Sequence, residues 1–122
     1  MRCDLVRQFG FEAAHHLPHF PEGHKCRRLH GHSFQVEVRI SGEVDPKTGC
    51  VRDFGEIRDV VQPIIAQLDH RFLNEVEGLD NPTSEILARW IWDRVTERLA
   101  GLTEIVIHET CTSRCVYRGP DS

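Results

Sequence analysis

The chain has 122 residues, the length of one ordinary domain, so residues 1–122 are predicted to form a single domain. The net charge of −4 argues against a nucleic-acid partner, and no segment approaches the roughly 20 apolar residues of a membrane span. Because the N-terminus lacks the apolar core of a secretory leader and the five cysteines are irregularly spaced, we expect a cytoplasmic protein with reduced thiols.

The first half of the chain predicts two strands that flank a histidine-rich loop. Residues 2–11 alternate in polarity, which indicates a strand, whereas residues 17–29 contain two prolines and a glycine and are typical of an irregular loop. Residues 30–40 alternate more clearly and predict a second strand. Turn-forming residues at 42–49 then indicate a hairpin return near residue 50.

Two helices are predicted next. Asp53, with Glu56 three residues later, favours a capping box at the start of a helix that runs to about Leu68. Pro63 interrupts this apolar pattern and is expected to kink or divide the helix. The second helix begins with either Asn81 or Thr83 as its cap and ends before a glycine, Gly101.

Strands at 103–110 and 114–118 complete the pattern. Strands followed by two helices and further strands favour an α+β fold, in which an antiparallel sheet carries the helices on one face. The other face is left uncovered, so we expect it to take part in association.

The histidines predict a metal site. His30 and His32 are two residues apart on a strand, so their side chains share a face and can bind one ion. His15, after the first strand, is the best candidate for a third ligand, although spacing alone does not separate it from His16. Three histidine ligands leave a tetrahedral zinc with an open position, as in catalytic zinc sites.

Cys26 allows three interpretations: a fourth zinc ligand, an inert thiol or a catalytic base. Neighbouring cationic side chains favour a thiolate there. Two further cysteines, Cys111 and Cys115, lack the spacing of a zinc knuckle and are interpreted as structural.

Three acid–base groups lie elsewhere in the sequence. Asp69 and His70, at a predicted helix end, form either an acid–base pair or ordinary helix-end electrostatics. Glu109 ends the core-facing row of a strand, where a carboxylate needs a partner. That partner is either a buried cation or the guanidine-like edge of a small heterocycle.

Five motifs in order, FEAAHHLPH, CRRLHGH, LDHRFLN, NPTSE and HETCT, resemble the 6-pyruvoyltetrahydropterin synthase superfamily. The three-residue spacer between Cys26 and HGH is similar to its bacterial, carboxypterin-forming branch in queuosine biosynthesis. The resemblance implies a tunnelling fold, in which a four-stranded antiparallel sheet carries two helices on one face. It also implies a homo-oligomer whose sheets join in a β-barrel, trimer-based and commonly hexameric.

The resemblance further implies the roles of individual residues. It assigns one zinc ion per subunit to His15, His30 and His32, and makes Cys26 the general base. Asp69 and His70 would relay protons, Glu109 would anchor a pterin ring, and Thr83 and Ser84 would contact it.

The implied reaction converts 7,8-dihydroneopterin triphosphate to 6-carboxy-5,6,7,8-tetrahydropterin with release of acetaldehyde and triphosphate. The alternatives are a synthase that forms 6-pyruvoyltetrahydropterin from the same substrate and a non-catalytic, zinc-stabilised binding module.

Overall fold

The computed structural model describes residues 1–121 and has an α+β architecture. Its sheet has the order β3-β1-β2-β4-β5, and its two helices are α1 (Phe54–Ala66) and α2 (Ser84–Thr96). The strands are β1 (Arg2–His15), β2 (His30–Glu43), β3 (Arg71–Phe72), β4 (Leu102–His108) and β5 (Arg114–Tyr117).

The sheet has five strands, so the predicted number of four was wrong. Four of them, β1, β2, β4 and β5, form the expected antiparallel arrangement. The additional strand, β3, is only two residues long and pairs in parallel with Ala13 and Ala14 of β1. Two residues cannot display an alternating pattern, so polarity gives no sign of this strand. The hairpin return predicted near residue 50 is reduced to one isolated bridge between Asp45 and Cys50.

The pairing of β1 with β2 brings the histidines together. Each strand has 14 residues, and their antiparallel register places His15 opposite His30 and Ala13 opposite His32. Directly opposed residues of an antiparallel pair lie on the same face. The register therefore directs all three histidines to one face at one end of the sheet.

Both helix starts are explained by their caps. The Asp53 carboxylate accepts a hydrogen bond from the Gly55 N–H at 2.8 Å, whereas the Glu56 side chain binds Arg52, so only half of a capping box forms. The Thr83 hydroxyl accepts from the Ile86 N–H at 3.2 Å, which identifies Thr83 and not Asn81 as the cap of α2. Helix α1 continues through Pro63 without division and ends at Ala66.

The helices cover one face of the sheet and form the core with it. Phe34, Val36, Val38 and Ile40 of β2 are buried in this core, together with apolar residues of both helices. On the opposite face of β2, Gln35 is exposed, and Arg39 pairs there with Glu104 at 3.1 Å. This second face is largely polar, and no helix of residues 1–121 covers it. Neither helix has the length and apolar composition that a membrane span requires, as judged over residues 1–121.

Candidate metal centre and adjoining pocket

Three histidines form a compact cluster on the helix-covered face. His15, His30 and His32 each offer a ring nitrogen, and these nitrogens all lie within 4.8 Å of one another. The ring centroids are 4.6 to 5.2 Å apart, and the rings meet edge to face. His16 lies outside the cluster and stacks on Phe72. The structure thus brings together the three predicted ligands and separates His15 from its neighbour.

Two of the rings are oriented by backbone carbonyls. Nδ1 of His15 lies 2.9 Å from the Pro82 carbonyl oxygen, and Nδ1 of His30 lies 2.7 Å from that of Arg28. A carbonyl only accepts, so each Nδ1 carries the proton and donates it. The two Nε2 atoms then hold lone pairs, as metal-binding imidazoles require.

The surroundings of His15 fit a cation. The ring is completely buried, and its Nε2 has no hydrogen-bond partner within residues 1–121. The nearest carboxylate oxygen, Oε1 of Glu109, lies 3.6 Å away. Two hydrogen-bond acceptors, a buried ring nitrogen and a partly exposed carboxylate oxygen, therefore face one another, which is unfavourable unless a positive charge lies close to both.

Protonation of the imidazole is a poor source of that charge. Burial lowers the pKa of His15, and the hydrogen bond to Pro82 and the Glu109 charge oppose this effect. Burial likewise lowers the pKa of His32. Both rings are therefore held in the neutral form that binds metals, and a divalent ion fits the donor set.

A pocket of about 380 Å³ adjoins the cluster. Its lining includes Glu109, Ser84 and Cys115, and Glu109 is one-third exposed. A volume of this order suits a small ligand. Burial raises the pKa of the Cys115 thiol, and nearby carboxylates add to the effect, so Cys115 lines the pocket as a neutral group. Because Glu109 also contacts His15, one carboxylate links pocket and cluster.

The remaining predicted contact residues lie at the start of α2. Ser84 lines the pocket, whereas the Thr83 hydroxyl oxygen caps the helix. A hydroxyl that accepts one bond can still donate its own proton. Thr83 thus has the structural task of a helix cap, one of the two caps that the sequence offered, beside the ligand contact that the resemblance implies.

Cys26 lies in a short 3-10 helix, Lys25–Arg27, between β1 and β2. Its backbone N–H donates to Nδ1 of His24 at 3.1 Å, and its carbonyl accepts from Leu17 at 2.9 Å. These bonds fix the backbone and leave the half-buried thiol free. The sulfur is outside the group of atoms within 4.8 Å that the three histidines form.

Asp69 and His70 lie at the β1 edge of the sheet. Asp69 Oδ1 accepts from the Glu12 N–H at 3.0 Å and contacts His70 Nδ1 at 2.9 Å. The bond from Glu12 is the main cause of a lowered pKa at Asp69, so this carboxylate is ionised and orients the imidazole. His70 has a φ of 58°, which is uncommon for a residue other than glycine.

His70 is far more exposed than the cluster. Its side chain is 79% exposed, and it lines an open pocket of about 570 Å³ with Glu12 and Ser33. The Ser33 hydroxyl binds the Glu12 carboxylate there. The structure therefore forms the predicted Asp69–His70 pair but does not include it in the metal cluster.

Asn74 was missed by the sequence analysis. Its side chain accepts from the His16 N–H at 3.0 Å and donates to the His16 carbonyl at 2.8 Å. These two hydrogen bonds fix the end of β1, next to His15. The carbonyls of Pro82 and Arg28 were also missed, because a backbone acceptor carries no residue-type signal.

The family model described as 6-pyruvoyl tetrahydropterin synthase matches residues 4–120. The chain belongs to this family. It is 43% identical to the 6-carboxy-5,6,7,8-tetrahydropterin synthase of Synechocystis sp., over 95% of this chain and 93% of the relative.

Two further relatives show the breadth of the family. The dihydroneopterin monophosphate aldolase of Pyrococcus furiosus is 38% identical over 83% of this chain and 82% of its own length. The structure of Caenorhabditis elegans 6-pyruvoyl tetrahydropterin synthase superposes with a TM-score of 0.91 at 26% identity, covering 98% of this chain and 97% of that one. The fold is thus shared across relatives with different named activities.

Proposed function

We propose that the chain is a zinc-dependent carbon–carbon lyase of queuosine biosynthesis. It converts 7,8-dihydroneopterin triphosphate to 6-carboxy-5,6,7,8-tetrahydropterin, with release of acetaldehyde and triphosphate. The observation that carries the proposal is the three-histidine cluster joined through Glu109 to a small pocket. The 43% identity to a 6-carboxy-5,6,7,8-tetrahydropterin synthase supports the choice of product.

His15, His30 and His32 would hold the zinc ion. When bound there, zinc supplies Lewis-acid stabilisation of negative charge that develops on substrate oxygens. The carbonyls of Pro82 and Arg28 keep two of these imidazoles in the required tautomer. Three histidine ligands would be the donor set typical of catalytic zinc sites.

Glu109 would select the pterin. A carboxylate accepts two parallel N–H bonds, which matches the guanidine-like edge of a pterin ring. Because Glu109 lines the pocket with Ser84 and also contacts His15, a ring bound to it would lie in the pocket beside the histidine cluster. The Thr83 hydroxyl proton is available for a further contact.

Cys26 would remove a carbon-bound proton as a thiolate, and His70 would deliver a proton elsewhere. The half-buried thiol is attached to a backbone fixed by His24 and Leu17, which holds it in place for this task. The ionised Asp69 keeps the His70 ring oriented. Each proton transfer of this kind contributes roughly 10²–10⁴ in rate.

The working enzyme is proposed to be a trimer-based homo-oligomer, most simply a hexamer with barrel-joined sheets. The polar, helix-free face of the sheet and the exposed β1 edge support this arrangement. His70, exposed at that edge, would then complete the site of a neighbouring subunit.

One experiment tests the reaction. The purified protein, with its metal content measured, is incubated with 7,8-dihydroneopterin triphosphate, and the products are identified by mass spectrometry. We expect acetaldehyde and the 6-carboxy product, and a zinc-loaded sample that forms no acetaldehyde would overturn the proposal. Cys26→Ala should fold and retain zinc but lose turnover. If it keeps all measurable function, the non-catalytic binding module is the better interpretation.

A pyruvoyl-forming synthase is the second candidate. The close superposition on the C. elegans 6-pyruvoyl enzyme favours it. The same assay separates the two reactions, because the pyruvoyl product retains the carbons that would otherwise leave as acetaldehyde.

A further inference from the structure

The Glu109 carboxylate occupies a position that a pterin contact alone does not require. It lines the pocket, yet its Oε1 atom lies only 3.6 Å from Nε2 of His15, a member of the histidine cluster. Its negative charge also acts on His32. The same side chain therefore faces two sites.

The contact with His15 is unfavourable in the absence of a cation. Nδ1 of His15 donates to the Pro82 carbonyl, so Nε2 presents a lone pair toward the carboxylate. Because the His15 ring is fully buried, water cannot reach Nε2 and donate a hydrogen bond to it. A cation bound to Nε2 converts the repulsive contact into an attractive one.

We infer that Glu109 stabilises the metal ion by charge, as a partner outside the three-histidine ligand set. Its oxygen is not one of the atoms that lie within 4.8 Å of one another in the cluster, so it acts beside the ligands and not in place of one. Three neutral imidazoles leave the full charge of a divalent ion uncompensated, and this carboxylate offsets part of it. The inference rests on the proposed function only in requiring a metal at this centre.

The same carboxylate faces the metal centre and lines the pocket, so it links the two sites by geometry. Any effect of the metal on the binding free energy of a ligand in the pocket is matched by an equal effect of that ligand on metal binding.

Glu85 provides a matched control. It lines the same pocket as Glu109, and its charge acts on Cys115. The pKa shifts of His15 and His32, by contrast, have contributions from Glu109 but none from Glu85. Glu85→Gln thus removes the same charge from the same pocket without removing it from the metal centre.

The test is a metal-affinity measurement without pterin. Zinc dissociation constants are determined by competition with a chromophoric chelator for the unaltered chain, Glu109→Gln, Glu109→Asp and Glu85→Gln. Replacing a partner outside the ligand set typically weakens metal binding by about 10–100-fold. We expect a loss in that range for Glu109→Gln, a change below about threefold for Glu85→Gln, and an intermediate value for Glu109→Asp, which keeps the charge.

The inference is overturned if Glu109→Gln binds zinc as tightly as Glu85→Gln. It is also overturned if this substitution changes the coordination number of the cobalt(II)-substituted protein, read from the intensity of its visible bands, since that would make Glu109 a direct ligand. Circular dichroism of each metal-free variant checks folding, and Glu109→Asp keeps the test decisive if Glu109→Gln does not fold. The readout needs no substrate, so a failed product assay and a failed inference are distinguishable.

Discussion

The histidine cluster and the Asp69–His70 pair belong to one proposed site but differ in how they are built. His15 is fully buried and is oriented by a carbonyl of its own chain. His70 is 79% exposed, and its orientation depends on a neighbouring carboxylate at the sheet edge. Carbonyls of this chain therefore orient two of the three imidazoles of the cluster, whereas the imidazole of His70 is exposed to solvent.

The difference indicates which part of the site is complete in one subunit. Buried, pre-oriented ligands can bind a metal before any substrate or partner arrives. A proton relay needs water excluded around it, and a side chain as exposed as His70 gains this only from another surface. Metal binding should therefore survive changes that abolish turnover.

The largest expected effect is on metal binding in His15→Ala. Loss of one of three ligands should weaken zinc affinity by more than about 100-fold, beyond the usual effect of an outer partner. Chelator competition and the metal-to-protein ratio measure this. His19→Ala, in the exposed part of the loop, is the control and should bind zinc normally. Equal affinities of the two variants would remove His15 from the ligand set.

His70→Ala should reduce turnover without weakening zinc binding. Turnover should fall by about 10²–10⁴, as for loss of a general acid–base group, while zinc affinity stays unchanged. Steady-state rates and chelator competition on the same sample measure both quantities. His16→Ala, which changes a histidine stacked on Phe72, is a control outside both groups.

Mixed oligomers sharpen this prediction. Subunits carrying Cys26→Ala are unfolded and refolded together with subunits carrying His70→Ala. If a site combines residues of two chains, some sites in the mixture contain both intact groups and activity returns. Activity that stays at the level of the separate variants would place Cys26 and His70 of the same chain in one site.

Asn74→Ala should loosen the end of β1. The side chain bonds both the N–H and the carbonyl of His16, so its removal leaves backbone groups without partners and should cost about 1–3 kcal/mol of unfolding free energy. Urea unfolding measures this. Asn81→Ala is a suitable control, because its buried amide oxygen has no partner within residues 1–121. Equal losses of unfolding free energy in the two variants would show that the two hydrogen bonds to His16 do not stabilise the protein.

The sequence predicted the histidine cluster well because the pattern that indicates it lies in neighbouring residues of the chain. His30 and His32 share a face through strand geometry, and His15 comes shortly after the alternating residues 2–11 in a strand that the structure extends to His15. What selects His15 over His16 is the register of β1 against β2, which puts His15 opposite His30 and directs it into the core. From the residues alone this choice was open, and only the family resemblance favoured His15.

The sequence could not reveal contacts between distant backbone groups. Pro82 lies 67 residues from His15 in the chain, and its carbonyl resembles any other. The proximity of Glu109 to His15 likewise depends on how β4 lies beside β2. The position of His70 at the β1 edge also depends on the two-residue strand β3 that follows it, which is too short to leave a pattern. These features distinguish the histidine cluster from the exposed Asp69–His70 pair.

The smallest effect concerns the pH dependence of the metal-free protein. Burial lowers the native pKa of His15 and His32 below the ordinary value near 6.5. As the pH falls through 6.5, the unfolded chain takes up these protons before the native protein does. The free energy of unfolding should therefore fall from about pH 6.5 toward the lower native pKa values and be constant above that range.

Urea unfolding with a chelator present, at pH 7.5 and 5.5, measures this change while most carboxylates stay ionised. His32→Asn removes one of the two rings whose native pKa burial lowers and should make the loss of stability smaller. If this variant loses as much stability between the two pH values as the unaltered chain, burial does not set the protonation of His32. If the loss is smaller, the neutral state of His32 is set by the fold before any metal binds.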